Sequence, residues 1–252
     1  MECAIFIPVR LASTRLPSKA LLKINNKPCI QYLIERVKEI EDIDGIVLCT
    51  TKNSADDEIV KFAKKMKIDI FRGSEQDILE RFNGAAQEFD VKYIINVDGD
   101  DILCEPEFIK KTANELKKNQ SDYISWKEMP LGTTPIGIKT SALTTVCDQK
   151  NNYDTETGWG KFFTETGMFN VKFLTSEDPE LKDKSVRLTL DYLEDFRLFE
   201  QLLTNIKKPL GLKKIIKFLN SRKDIKDLNK GVKEIYWKNF EKKSAKIKMK
   251  EE

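Results

Sequence analysis

Five short apolar runs recur along the first half of the chain, and each of the first four is followed by a stretch with helical periodicity. The runs are Ala4–Ile7, Gly45–Thr50, Ile68–Phe71, Tyr93–Val97 and Asp122–Trp126. Continuous rather than alternating hydrophobicity marks strands buried on both faces. Between them, Ile30, Leu33, Ile34 and Val37 form one helical stripe, opened by Pro28 and running to about Glu41. Ile59, Val60, Phe62, Ala63 and Met66 form the next, begun by Ser54, Asp56 and Asp57. Asp77 starts a third helix over 78–89, and Glu105 with Pro106 opens a fourth that reaches about Asn119. Strand and helix alternating in this way predict an α/β fold, a mostly parallel Rossmann-like sheet with helices on both faces.

After Trp126 the rhythm breaks. Pro130, Gly132, Pro135 and Gly137 mark loops around an extended excursion. Ser141 caps a short helix to Val146, and 148–160 reads as a loop. Residues 169–174 read as an edge strand and 185–190 as a further strand ending at Asp191. Glu194 and Asp195 then start a helix to about Leu203, and 212–219 is another. The expected organisation is one main domain over 1–204 and a helical, lysine-rich extension over 205–252. Ile235, Tyr236, Trp237 and Phe240 in the tail require a surface to dock on, either the body or a second subunit.

Composition excludes several chemistries. The 252 residues contain no histidine, so Ser-His-Asp and Cys-His engines and histidine metal sites are ruled out. The five cysteines show no metal or redox spacing and are expected to be reduced and mostly buried. A metal must then be held by oxygen, which points to Mg²⁺ or a similar hard cation. Residues 230–252 hold eight lysines and four glutamates, a net of +4, so with +3 overall the remaining chain sums to −1. A basic stripe for nucleic acid is absent from the body. No apolar run reaches the ~18 residues of a membrane span. The first apolar run begins at residue 3 with no basic region ahead of it, so no secretory leader and a cytoplasmic location are expected.

Four constellations carry chemistry. Just past the first strand, which Pro8 ends, come Arg10, Ser13, Thr14, Arg15 and Lys19. Three cations and two hydroxyls at a strand's carboxyl end suit a polyphosphate. Neither a Walker loop nor Gly-x-Gly-x-x-Gly is present, so side chains and loop amides must hold the phosphates. Taken alone, the same residues also describe a solvated basic loop. Asp98-Gly99-Asp100-Asp101 follows the fourth strand and can hold Mg²⁺ beside phosphates, or form an acidic turn. Arg187-Leu-Thr-Leu-Asp191 ends another strand, and Asp191 can supply a second carboxylate across the same crevice. Glu194 and Asp195 read as helix-start acids. Arg72-Gly73-Ser74, with Asp77 and Arg81 beyond, can read a base or ribose, although Asp77 reads better as a cap.

Four segments in this order resemble the cytidylyltransferases that activate sugar acids as CMP esters, of the 3-deoxy-manno-octulosonate and acylneuraminate type. They are Ile-Pro-Val-Arg-Leu-Ala-Ser-Thr-Arg-Leu-Pro-Ser-Lys at 7–19, the run at 72–82, Asn-Val-Asp-Gly-Asp-Asp at 96–101 and the run at 187–196. The spore-coat-polysaccharide branch is the most similar. The resemblance spans 4–200 and implies a nucleotide-diphospho-sugar-transferase type of fold, CTP, Mg²⁺ and release of pyrophosphate. It implies that Arg10, Arg15 and Lys19 hold the triphosphate and carry catalysis. Pro8, Ser13, Thr14, Arg72, Ser74 and Asp98 are then the further nucleotide-binding residues, with Ser74 near cytosine, and Asp100 and Asp191 ligate the metal. The acceptor, an acidic sugar of the 2-keto-3-deoxy type destined for a surface polysaccharide or glycan, falls to the segment 127–175. Lys139, Lys161 and Arg187 are the cations for its carboxylate or phosphate. Ser18 departs from the glycine of many members, and Lys139 lies where the spore-coat branch tends to be acidic. The family and the amphipathic tail point to a homodimer.

Other readings compete. A nucleotidyltransferase acting on a small phosphate or phosphonate shares the CTP half. A metal-dependent glycosyltransferase of the same fold would use Asp98-Gly-Asp100 but has no need of the triphosphate cations. A catalytically silent binding module would have no reason to keep every phosphate and metal residue.

Overall fold

The computed structural model describes residues 1–244 and 246–250. Strand β1 (Cys3–Pro8) lies at the centre of a seven-stranded sheet, between β4 (Gly45–Thr51) and β6 (Tyr93–Asn96). A small hairpin of β2 (Lys23–Ile24) and β3 (Lys27–Pro28) precedes helix α1 (Cys29–Lys38). Outward from β4 comes β5 (Asp69–Gly73), reached through α2 (Asp57–Lys65). On the other side, β6 follows α3 (Ile78–Glu88), and α4 (Pro106–Lys117) leads on to β7 (Tyr123–Trp126). The sheet order is β5-β4-β1-β6-β8-β7-β9, with β8 (Ile136–Lys139) antiparallel to both neighbours and β9 (Val171–Leu174) parallel to β7 at the edge.

The fully buried strands explain the continuous apolar runs. Successive β1 side chains enter opposite cores, Ile5 and Ile7 on one face and Ala4 and Phe6 on the other. The first core is covered by α1, α2, α4, α7 (Leu193–Asn205) and α8 (Leu212–Ser221). The second is covered by α3, α5 (Thr140–Gln149) and the short α6 (Lys161–Thr164). Leu210, Leu212, Ile215, Ile216, Leu219 and Ile225 of the C-terminal segment belong to the first core, packed with β1 and β6 rather than apart from them. A short α9 (Lys223–Lys226) leads to α10 (Val232–Lys243), which docks on the body.

Two expectations for the middle of the chain change. Residues 136–139, read as loop because of Pro135 and Gly137, form β8. Gly137 is there for packing: a Cβ would meet Thr112 Cγ2 at 2.7 Å and Leu116 Cδ1 at 2.8 Å, so only glycine lets α4 lie on the strand. Residues 185–190, read as a strand, are extended but make a single bridge, Arg187 to Leu131. Residues 186–190 are all buried, polar and apolar alike, because the segment lies across loops and meets no strand edge. The five cysteines are free, four of them buried and Cys147 half-buried. No helix among the described residues is long and apolar enough to cross a membrane.

Candidate active site

β1 and β6 are adjacent and parallel, so the loops beyond their carboxyl ends share one crevice. The loop after β1 is held from below. The Leu11 amide donates to Asp56 Oδ1 at 2.7 Å, and the Thr51 hydroxyl donates to the other oxygen of this buried acid. The Ser18 amide closes the loop on the Leu11 carbonyl at 3.2 Å. Ser18 itself is left-handed, with φ at 50°, a conformation that favours glycine. The turn that follows, Lys19–Leu21, buries Ala20 and aims Lys19 into the crevice.

The loop after β6 is drawn against β1 by a bond from the Gly99 amide to the Pro8 carbonyl, 3.1 Å. A Cβ at position 99 would meet that same oxygen at 2.8 Å. The extended segment 185–191 then docks on this loop, with the Leu190 amide donating to the Asp100 carbonyl at 3.0 Å. These two contacts bring three distant stretches to one point. Lys19 Nζ donates to Asp100 Oδ2 at 2.5 Å and to Asp191 Oδ1 at 2.9 Å, and Arg15 also donates to Asp191.

Charge is concentrated here. Asp191 is buried, which by itself raises its pKa, but Lys19 and Arg15 outweigh this and hold the carboxyl at about 2. Asp98 is pushed up to about 6 by burial and by the neighbouring Asp100. Asp101 is raised by the same two causes. One carboxylate oxygen from each of Asp98, Asp100 and Asp101 lies within 4.8 Å of the others. This is an all-oxygen donor set of the kind a hard divalent cation takes.

The crevice has two compartments. One, of about 310 Å³, is lined by Pro8, Arg10, Ser13, Thr14, Arg15 and Lys19. The other, of about 420 Å³, is lined by Tyr123, Trp159, Lys161, Thr189, Asp191 and Asn239 among others. Arg15, Asp98 and Asp100 face both, as do Glu156, Thr157, Trp159 and Lys243. A cationic chamber and a mixed chamber meeting at carboxylates is the layout a group transfer between two substrates requires.

The family model for cytidylyltransferases matches residues 4–233. The chain belongs to the cytidylyltransferase family. An uncharacterized protein of Methanocaldococcus jannaschii is 32% identical over 96% of this chain and 100% of its own length. The spore coat polysaccharide biosynthesis protein SpsF of Bacillus subtilis is 27% identical over 80% of this chain and 86% of its own. Among solved structures, a cytidylyltransferase from Leptospira borgpetersenii superposes with a TM-score of 0.80 at 23% identity, covering 89% of this chain and 96% of the other. The enzyme is thus a nucleotidyltransferase of α/β type.

In this cytidylyltransferase most of the sequence-predicted site residues converge. Pro8, Arg10, Ser13, Thr14, Arg15, Lys19, Asp98, Asp100, Asp191 and Lys161 line the crevice. Four do not. Arg72 spends its guanidinium on the carbonyls of Thr51 and Asn53, at 2.8 and 2.7 Å, and on Asp57 at 2.7 Å, so it braces the β4–α2 loop instead of facing nucleotide. Ser74 accepts from the Asp77 amide at 3.1 Å and lines neither compartment. Lys139 pairs in register with Tyr93, the first residue of β6, because β8 is antiparallel. It therefore sits at the end of the sheet away from the crevice. Arg187 is buried and donates to Asp191 at 2.8 Å and to Asp195 at 3.0 Å, so it positions a carboxylate rather than binding an acceptor.

Other residues gain roles. Asp195 is more than a helix-start acid: it accepts from the amides of Asp191 and Tyr192, both at 3.0 Å, while holding Arg187. Asp77 caps α3 as expected and also accepts from buried Lys150 and Thr155, anchoring the 150–160 loop. Arg81 ion-pairs with Glu156 at 2.6 Å, and Glu156 lies 3.5 Å from Arg10. Glu156 carried no signal in a polar loop. Asp56 is a buried acid at a helix start, where a cap is the ordinary reading.

Proposed function

We propose that this enzyme transfers CMP from CTP to an acidic sugar, with Mg²⁺, and releases pyrophosphate. The observation that carries the reading is Lys19 Nζ lodged between Asp100 and Asp191 beneath a loop of arginines and hydroxyls. The carboxylates are already arranged around a point charge, and the cations already face the chamber where a triphosphate fits.

Arg10, Arg15 and Lys19 hold the phosphates, and their charge stabilises the transition state and the leaving pyrophosphate. Asp100 and Asp191 would hold a hard cation beside these phosphates. When bound, that ion neutralises charge on the phosphate oxygens. Arg187 and Asp195 keep Asp191 oriented throughout. The acceptor hydroxyl approaches from the second compartment, and positioning supplies most of the rate. No histidine is needed. The kinship with a spore-coat-polysaccharide protein supports a sugar acceptor and a role in glycan synthesis.

The test is pyrophosphate release from CTP, ATP, GTP and UTP with Mg²⁺, against a panel of acidic sugars and small phosphonates. CTP-specific release with an acidic sugar is the expected result. Release only with a phosphonate would replace the acceptor class, and release with every nucleotide alike would remove the cytosine assignment. Lys19→Ala should lower kcat by about 10²–10³-fold with an unchanged circular dichroism spectrum.

A further inference from the structure

We propose that the C-terminal helix α10 forms a wall of the acceptor-binding site, and that Lys243 at its end reads the acceptor's anionic group. The inference rests on the two-compartment reading above and deepens it. Tyr236, Asn239, Phe240 and Lys243 all line the second compartment and all four come from α10; Lys243 stands at the mouth of the first as well. Their spacing of three to four residues places them on one helix face.

The helix is held in place from three sides. Val232 is buried at its start. The Tyr236 ring lies over the Arg187 guanidinium at 4.5 Å, and Asn239 Nδ2 donates to the Tyr192 hydroxyl at 3.2 Å. At its end, Ser244 sits so close to Gly158 that a Cβ there would meet Ser244 Oγ at 2.1 Å. Gly158 belongs to the loop lining the same compartment and has φ at +76°, so a side chain is excluded on both counts. The wall is therefore tied both to the strut that orients Asp191 and to the loop opposite.

Charge gives the wall its chemistry. The cleft's ion pairs occupy Arg10, Arg15, Lys19, Arg81 and Arg187; among the described residues Lys161 and Lys243 take part in none of them. Asp191 is buried at the inner end of the compartment, while Lys243 is exposed. An acceptor with a carboxylate would direct it to the two lysines and its nucleophilic hydroxyl inward, toward the carboxylates and the nucleotide. A lysine in the last turn of a helix also interacts favourably with the macrodipole, and that purely structural role makes a different prediction.

The experiment measures steady-state pyrophosphate release with Mg²⁺, CTP and 3-deoxy-manno-octulosonate, and then with the other acidic sugars of the panel. The variants are Lys243→Gln, Lys243→Arg and, as a charge-matched control on the exposed face of α10, Lys238→Gln. Lys243→Gln should raise the acceptor KM about tenfold or more, as loss of a charged hydrogen bond does, and leave the CTP KM within about twofold. Lys243→Arg should recover most of that loss, and Lys238→Gln should show none. An unchanged acceptor KM in Lys243→Gln, an equal rise in both KM values, or the same effect in Lys238→Gln would overturn the inference while leaving the proposed reaction intact. Absence of turnover by the wild-type enzyme with every acid would instead remove the reaction and the inference together.

Discussion

The two compartments are built in opposite ways. The first compartment draws five of its polar lining residues, three of them cations, from one loop of about ten residues, Arg10 to Lys19, braced by Asp56 from below. The acceptor side is assembled from a loop near residue 157, the extended segment at 189–191 and a helix that begins at residue 232. A contiguous loop fixes its own side-chain spacing, so one strand end is enough to present it. A dispersed wall depends on how α10, the 150–160 loop and the 185–191 segment pack. A contiguous loop can be kept while loops and tail change, so on the proposed reading the acceptor could vary without disturbing the residues assigned to the triphosphate.

The sharpest way to break this contrast is at the junction. Asp191→Asn and Asp100→Asn should each reduce Mg²⁺-dependent turnover by about 10³-fold or more, as the proposed sharing of one ion by both acids requires. They should part in stability. Asp191 carries Arg15, Lys19 and Arg187, so its neutral variant leaves buried cations uncompensated and should lose about 3 kcal/mol in urea unfolding. Asp100, which meets Lys19 alone among these cations, should change stability by less than about 1 kcal/mol. Equal losses would mean that Asp191 is not the structural hub.

A second test acts on the 150–160 loop. Lys150→Met leaves Asp77 without its buried partner and should cost about 3–5 kcal/mol. Because Asp77 and Thr155 anchor this loop, and more of it lines the second compartment than the first, the surviving folded enzyme should show a larger rise in acceptor KM than in CTP KM. A matched rise in both would show that the two compartments do not move independently.

The acid cluster makes a smaller, pH-dependent prediction. Asp98 has a folded pKa of about 6, above its ordinary value of 3.8, so folding favours its protonated form. Stability is then full below about pH 4 and falls as pH rises toward 6 and beyond. In metal-free protein, Asp98→Asn should therefore raise Tm at pH 7.5 and do nothing at pH 3.5. The gain is bounded by about 3 kcal/mol at ~1.4 per pKa unit, and water in the open cleft reduces it. The same substitution should weaken Mg²⁺-dependent turnover. The smallest effect belongs to Arg72→Ala, which should leave the CTP KM within about twofold, since Arg72 faces the β4–α2 loop. A tenfold rise would return Arg72 to the nucleotide.

Much of the fold was legible because burial imprints local periodicity. A strand covered on both faces needs an unbroken apolar run, as β1, β4 and β6 have, and a helix on a sheet needs a stripe. Where a residue serves two purposes, the pattern misleads. Gly137 looked like a loop signal but is the contact point for α4, and 185–190 alternates like a strand with no partner to pair with. The cationic loop after β1 was legible for a related reason: its cations are close in sequence, so their convergence on one compartment requires no knowledge of the fold.

The sequence by itself determined the parallel sheet, the cationic loop after its first strand and the acids that follow β6 and precede α7. Those properties are set by neighbours along the chain. Only the tertiary structure decided which polar groups face the cleft. It turned Arg187 inward to Asp191, sent Lys139 to the far end of the sheet and brought Lys243 over the crevice. A polar side chain has no periodicity that names its partner, and the charge it meets is set by segments distant along the chain, as Lys19 meets Asp191 across 172 residues.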